Sequence, residues 1–265
     1  MGDHIRLEIE DHVATITIDR PERRNAMNWA VLSDFHAAIE RASADGDCRA
    51  VIVTGAGGAF CAGTDLSDLA DTPVGERGSR GGGSRGGDGG RRSGWPLQQC
   101  PKPVIAAVDG PAVGMGAEFA TQCDVRIASS RARFAWNFVH RGLVPDTGAG
   151  SWLLPRQIGL TAALRLVLSG EFLSAEEAFG LGFVSQVVAP EDLLEAARTE
   201  ARRLSQGSPF AARLAKQLIY SGLESAIPDH LERTGTALAS CFASEDHKEG
   251  VAAFLERREP RFVGR

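Results

Sequence analysis

Val104-Ile105-Ala106-Ala107-Val108-Asp109-Gly110-Pro111-Ala112-Val113-Gly114-Met115-Gly116-Ala117-Glu118-Phe119 is the stretch around which the rest of the chain is organised. Valine and isoleucine crowd a short apolar run that stops at Asp-Gly-Pro, which reads as a buried strand. A glycine-punctuated turn follows and leads into a helix carrying Ala117, Glu118, Phe119 and Ala120. Gly114 and Gly116 allow a close backbone approach and angles that a side chain would forbid. The first N–H groups of a helix have no partner inside it, and a negatively charged oxygen is their natural occupant. One turn further in, Glu118 brings a carboxylate toward the same spot. The plain alternative is a tight turn with a solvent-facing glutamate. A dinucleotide fingerprint is disfavoured, because the third glycine is missing and this is not the first strand of the chain.

A second stretch is similar in kind. Ala50-Val51-Ile52-Val53-Thr54-Gly55 reads as a buried strand, followed by Ala56-Gly57-Gly58 and by Phe60-Cys61-Ala62-Gly63-Thr64-Asp65-Leu66, with Thr64 or Asp65 near a helix cap. Two strand-turn-helix corners, each offering a backbone N–H, can converge on one oxygen, which is what an oxyanion hole requires. Upstream, Ile5–Ile9 and Val13–Ile18 alternate apolar and polar residues around Glu10-Asp11-His12, which predicts a hairpin. The loop Asp19–Asn28 contains Arg23 and Arg24, readable either as solvated charges or as anion ligands. A helix follows through Leu32, Phe35, Ile39 and Ala42, and stops by Asp45-Gly46-Asp47.

The 265 residues can bury a full core, and 43% hydrophobic and 24% charged residues are ordinary for a globular protein. The net charge of −5 gives no general reason to expect nucleic acid. No early run is long and apolar enough for a signal peptide or a membrane span, so a cytoplasmic protein is expected. Five scattered cysteines without a CxxC pair, and dispersed histidines, predict reduced thiols and no metal site. Residues 71–95 are dominated by glycine, arginine and serine and predict a mobile loop. Its Arg-Gly-Gly flavour raises RNA contact, but a flap or linker is the preferred reading because no aromatic residue precedes Trp95.

Further strands are predicted at Asp124–Ala128, Ala132–Ala135 and Phe183–Val188. Short helices are predicted at Trp152–Ile158, Ala162–Leu168 and Ser174–Phe179, the last with a capped start at Ser174-Ala175-Glu176-Glu177. Helices near Leu193–Leu204, Pro209–Tyr220, Ile227–Ala243 and Glu245–Arg257 close the chain. Trp136, Phe138 and Val139 suggest an aromatic pocket wall. Asp146, in Gly142-Leu143-Val144-Pro145-Asp146-Thr147-Gly148, either caps the helix starting near Gly148 or is a carboxylate flanked by Leu143 and Val144, where burial would raise its pKa.

Taken in order, the motifs Arg20-Pro21 with Asn25-Ala26-Met27-Asn28, Ala59 to Leu66, Pro103 to Glu118, Gly142 to Gly148, and Glu249-Gly250-Val251-Ala252-Ala253-Phe254 resemble those of the crotonase (enoyl-CoA hydratase/isomerase) superfamily nearly end to end. The resemblance implies an α/β fold with a ββα spiral core over 1–204. It also implies a C-terminal helical region over 205–265 that builds a homotrimer or a hexamer of paired trimers. It implies an acyl-CoA thioester substrate, with coenzyme A entering as part of that substrate and no separate cofactor. The implied oxyanion donors are the N–H groups of Thr64 and Met115. Implied substrate contacts fall near Arg24 and Ala26, on backbone around Ala62, Asp65 and Leu66, and at Gly114 and Phe138.

The acid/base groups depart from the hydratase pattern. Glu118 matches the first of two glutamates that hydratases of the family carry, whereas Phe138 stands at the second, and a phenyl ring cannot move a proton. An aspartate at Asp146 resembles the isomerase branch instead. The expectation is therefore double-bond migration in an enoyl-CoA, with Asp146 as the proton shuttle and Glu118 as helper or second acid. Hydration by Glu118 and Asp146 together is the alternative within enzymes, and RNA binding through residues 75–94 is the distant one.

Overall fold

The structure is a computed structural model, described here for residues 2–65 and 95–265. Ile5–Glu10 (β1) and Val13–Ile18 (β2) form the expected antiparallel hairpin, and Trp29–Ala44 forms α1, capped by Asn28, whose side chain accepts from Val31 N–H at 2.9 Å. Ala50–Gly55 (β3), Val104–Val108 (β4), Val125–Ser129 (β6) and Gln186–Val188 (β9) extend the sheet in parallel, in the order β1-β2-β3-β4-β6-β9. A second sheet joins Pro111–Val113 (β5), Arg133–Ala135 (β7) and Leu173–Ser174 (β8).

Strands buried on both faces explain the continuous apolar runs. In β4, Val104, Ala106 and Val108 enter the main core, while Ile105 and Ala107 point to the other face. There Ile52, Ile105 and Ile127 are covered by Leu193, Ala197 and Ala201 of the helix Leu193–Leu204. Strand–strand–helix units recur along the chain. In two of them one strand joins the large sheet, the next joins the small one, and a helix follows: β4-β5 then α3 (Met115–Gln122), and β6-β7 then α4 (Ala149–Trp152). The helix α2 (Pro96–Gln99) precedes β4.

Strand β5 was not expected, since Pro111-Ala112-Val113 reads as part of the turn. Proline is tolerated at the first position of a strand, and the segment pairs with β7 on one side and bridges Cys61 through Ala112 on the other. Phe183–Val188 proves to be a strand only from Gln186. Phe183 is instead a core plug, edge-on to both Phe134 and Trp136. The predicted Trp152–Ile158 helix divides into α4 and α5 (Leu154–Ile158), followed by α6 (Leu160–Ser169) and α7 (Ala175–Gly180). The capping box between Ser174 and Glu177 forms as read.

Helix α8 is Leu193–Leu204. Beyond it lie α9 (Pro209–Gly222), α10 (Ile227–Ala243) and α11 (Glu245–Glu256). Asp124 anchors α9: it accepts from Lys216 Nζ at 2.6 Å and Tyr220 OH at 2.9 Å, and also from Val104 N–H at 2.7 Å. Neither α9 nor α10 has a residue buried within the single chain, and apolar residues such as Ile227, Leu231 and Phe242 face outward. Among the described residues no helix is long and apolar enough to cross a membrane, and no cluster of metal-binding side chains occurs.

Candidate active site

Two corners are bonded backbone to backbone. Cys61 N–H donates to the Pro111 carbonyl at 3.1 Å, and Val113 N–H donates to the Cys61 carbonyl at 2.9 Å. The bridge brings the turn after β3 against the turn after β5. Gly63 lies there with φ +97°, and a Cβ on it would meet the Val113 carbonyl at 2.8 Å and the Met115 nitrogen at 3.6 Å. Gly116 is equally constrained: its Cβ would fall 2.1 Å from the Cys61 carbonyl oxygen. Gly116, anticipated as permitting close approach, and Gly63, which was not, therefore each approach the other's corner. Gly114 has φ +54° and takes the turn into α3.

Neither Thr64 N–H nor Met115 N–H has a partner among the described residues. Met115 opens α3, where the first N–H groups point out of the helix and carry its positive end. Both residues line a cleft of about 330 Å³ together with Ala26, Gly114, Phe138 and Asp146. Ala62 and Asp65 line it too, but their N–H groups are committed, to the Arg24 carbonyl at 3.0 Å and the Met27 carbonyl at 2.8 Å. The Asp65 carboxylate accepts from Arg20 Nη1 at 2.8 Å, and the same nitrogen donates to the Ala26 carbonyl at 3.1 Å. Asp65 thus holds the 20–28 loop in place. Arg24, at φ +49°, offers its carbonyl, while the side chain that lines the cleft is Arg23. Leu66 and residues 71–94 lie outside the described residues.

Asn25 was quoted in the sequence without a role. It is fully buried at φ +60°, a conformation asparagine tolerates better than most residues. Its side chain donates to the Ala56 and Ala59 carbonyls and accepts from Arg20 N–H, so it clamps the loop to the β3 corner. An Asn in an arginine-rich loop gives no pattern from which this could be read.

Glu118 is not solvent-facing; it has no accessible surface. Its Oε2 accepts from the Thr147 hydroxyl at 2.7 Å and its Oε1 from Gly150 N–H at 2.7 Å. Burial pushes its pKa up to about 7 against these two hydrogen bonds, and the nearby Asp146 charge adds to the rise. Asp146 stands in front of it, open to solvent through the cleft mouth but with protein behind. That partial desolvation pushes its pKa up to about 6, opposed by backbone N–H groups of its own turn. The upward direction and its cause, burial, match the expectation; of the two flanking residues, Leu143 borders the cleft while Val144 is 76% exposed. Asp146 does not cap α4 either; Gly148 occupies the cap position with no side-chain bond. Trp136 is fully buried behind the site, so the aromatic wall is Phe138, which is 6% exposed.

Two unpartnered backbone donors beside a carboxyl with a raised pKa form equipment for chemistry in which an oxyanion develops while a proton moves. A family model described as Enoyl-CoA hydratase/isomerase matches residues 8–265. The 1,2-epoxyphenylacetyl-CoA isomerase of Escherichia coli K12 is 39% identical over 271 residues, covering 100% of each chain. The short-chain-enoyl-CoA hydratase of Clostridium acetobutylicum is 37% identical over 258 residues, covering 97% of this chain and 96% of the relative. The crystal structure of an enoyl-CoA hydratase from Bacillus anthracis superposes with a TM-score of 0.90 at 32% identity, over 99% of this chain and 100% of that one. This chain belongs to the enoyl-CoA hydratase/isomerase family and has the crotonase fold. It is an enzyme of that superfamily.

Proposed function

We propose that the chain moves a double bond within an enoyl-CoA, with Asp146 carrying the proton. One observation supports this above all. Among the described residues, Asp146 is the carboxyl lining the cleft without an ion-pair partner, while Asp65 is held by Arg20; by the family resemblance Phe138 stands where hydratases carry their second glutamate. In this reading a 3-enoyl thioester binds with its carbonyl oxygen toward the N–H groups of Thr64 and Met115. Asp146 takes a proton from the α-carbon, and the C–H electron pair becomes a dienolate held by the two donors. Returning the same proton to the γ-carbon leaves the double bond conjugated with the carbonyl. One carboxyl suffices, because the proton that leaves is the one that returns. Asn137, Arg141 and Leu143 border the same cleft, near Phe138.

The E. coli relative carries an isomerase name, for an epoxyacyl-CoA, and so is compatible with an isomerising enzyme; the hydratase names of other relatives keep hydration as the second reading, with Glu118 and Asp146 as the acid/base pair. RNA binding depended on residues 75–94, outside the described residues. A direct absorbance assay with a purified trans-3-enoyl-CoA separates the two enzymatic readings. Growth of the conjugated enoyl-thioester band supports migration. No growth, with loss of that band when a 2-enoyl-CoA is supplied, establishes hydration and refutes the assignment.

A further inference from the structure

Asp146 and Glu118 are joined by the residue between Asp146 and Gly148 in the chain. Thr147 Oγ1 lies 2.7 Å from Glu118 Oε2 and 3.3 Å from both Ala149 N and the Gln122 side-chain amide nitrogen. The Ala149 N–H can only donate, so the threonine oxygen accepts there and its one proton is left for Glu118. The Thr147 backbone is fixed as well, since its carbonyl accepts from Trp95 Nε1 at 2.8 Å and Trp95 packs against Trp152 at 5.5 Å between ring centroids. On the opposite side, Gly150 supplies the second donor to Glu118. No larger residue fits there, as a Cβ would fall 2.3 Å from Glu118 Oε1 and 2.8 Å from the Trp136 ring.

We propose that Thr147 is a positioning residue: its hydroxyl orients Glu118 and keeps that buried group a hydrogen-bond acceptor directly behind Asp146. A buried carboxyl without donors is neutral near pH 7, and a donor to the ionised form favours the charge. An ionised Glu118 makes Asp146 a stronger base and tightens its hold on a proton during transfer. A neutral Glu118 does neither. Titratable groups on the packed elements are Asp146 on the turn, Cys61 on the bridge to β5, Cys100 after α2 and His36 on α1. Of these, only Asp146 acts on Glu118 through its charge. Thr147 touches no substrate in this arrangement; it acts through Glu118.

The kinetic consequence rests on the reading of Asp146 as proton carrier, whereas the effect on Glu118 does not, and the test keeps them apart. The carboxyl band of Glu118 is identified in infrared difference spectra by its absence in Glu118→Gln, then titrated in wild type, Thr147→Val and Thr147→Ser. Losing a hydrogen bond to a charged group moves the titration midpoint upward by about one unit in Thr147→Val, and Thr147→Ser restores it. In the double-bond assay, kcat of Thr147→Val falls about tenfold with KM little changed, and the rising acid limb of its pH profile moves with the infrared midpoint. Thr147→Ala serves as the second deletion if the valine variant folds poorly. An unmoved Glu118 midpoint in the deletion variant overturns the proposal. A shifted midpoint with no double-bond activity in any variant, wild type included, upholds the positioning role and refutes the isomerase reading.

Discussion

Gly116→Ala tests whether the contact between the two corners builds the oxyanion site. The new methyl would fall 2.1 Å from the Cys61 carbonyl oxygen and 2.9 Å from the Cys61 Cβ, and the nearest obstacle is main chain that no rotamer change can clear. To reach even 3.0 Å, α3 and the Cys61 main chain must part by about 0.9 Å. The Cys61 carbonyl also receives Val113 N–H, so parting them displaces the turn that presents Met115. Misplacing a catalytic group by about 1 Å costs on the order of 10²-fold, and losing one oxyanion donor costs about 3 kcal/mol, which gives a similar factor. Overpacking adds about 1–3 kcal/mol of destabilisation, or roughly 2–10 °C in Tm for a chain of this size. The assay is kcat/KM on the enoyl-CoA that wild type turns over, measured at least 10 °C below the variant's own Tm, beside a thermal melt. Gly46→Ala, in the bend after α1 with nothing within 4 Å, is the control for an added methyl and should leave kcat/KM unchanged. A Gly116→Ala enzyme that is folded, with its Tm unmoved and kcat/KM within threefold of wild type, would refute this account of the two corners.

Asp146→Asn should lower turnover about 10³-fold while acyl-CoA affinity, read by calorimetry, stays within a few fold; near-normal turnover removes Asp146 from the mechanism. Glu118 makes stability depend on pH in a defined direction. Its folded pKa of about 7 lies above the ordinary glutamate value of 4.5, so the folded state holds the proton more tightly. This contribution is fully present below pH 4.5 and is lost as pH rises toward 7, by about 3 kcal/mol. Denaturant midpoints at pH 5 and pH 7.5 should therefore differ less in Glu118→Gln than in wild type, and equal differences would contradict the burial argument. Exposed Ile227, Leu231 and Phe242 on α10 predict self-association, and the family resemblance implies a homotrimer or a hexamer of paired trimers, to be read by sedimentation; a stable monomer at micromolar concentration counts against that reading.

The large sheet was legible because β3 and β4 are short β-branched runs, and double-faced burial needs no alternation to be recognised. The helix α1 was legible for the opposite reason, its apolar spacing and the Asn28 cap. Strand β5 was hidden because three residues beginning with proline satisfy turn chemistry as well as strand pairing, and only contact with β7 and Cys61 decides between them. Within the site, Gly114 and Gly116 announced special backbone angles and close approach, but not that Gly116 would meet the Cys61 carbonyl. The state of Glu118 was hidden because its burial comes from Thr147 and Gly150, 29 and 32 residues away. The same separation concealed Asn25, whose partners Ala56 and Ala59 lie 31 and 34 positions further along.

The unpartnered donors at Thr64 and Met115 belong to the main chain, and that changes which alterations can damage the site. Nineteen of the twenty amino acids carry the same N–H, so exchanging either side chain reshapes the cleft wall and leaves the donor in place. Alanine scanning would be blind to both donors, and only proline deletes the group outright. The two donors are set by the backbone path, through the Cys61–Ala112 bridge and the glycines beside it, so a change of side chain at 64 or 115 alters the cleft wall and not the donor.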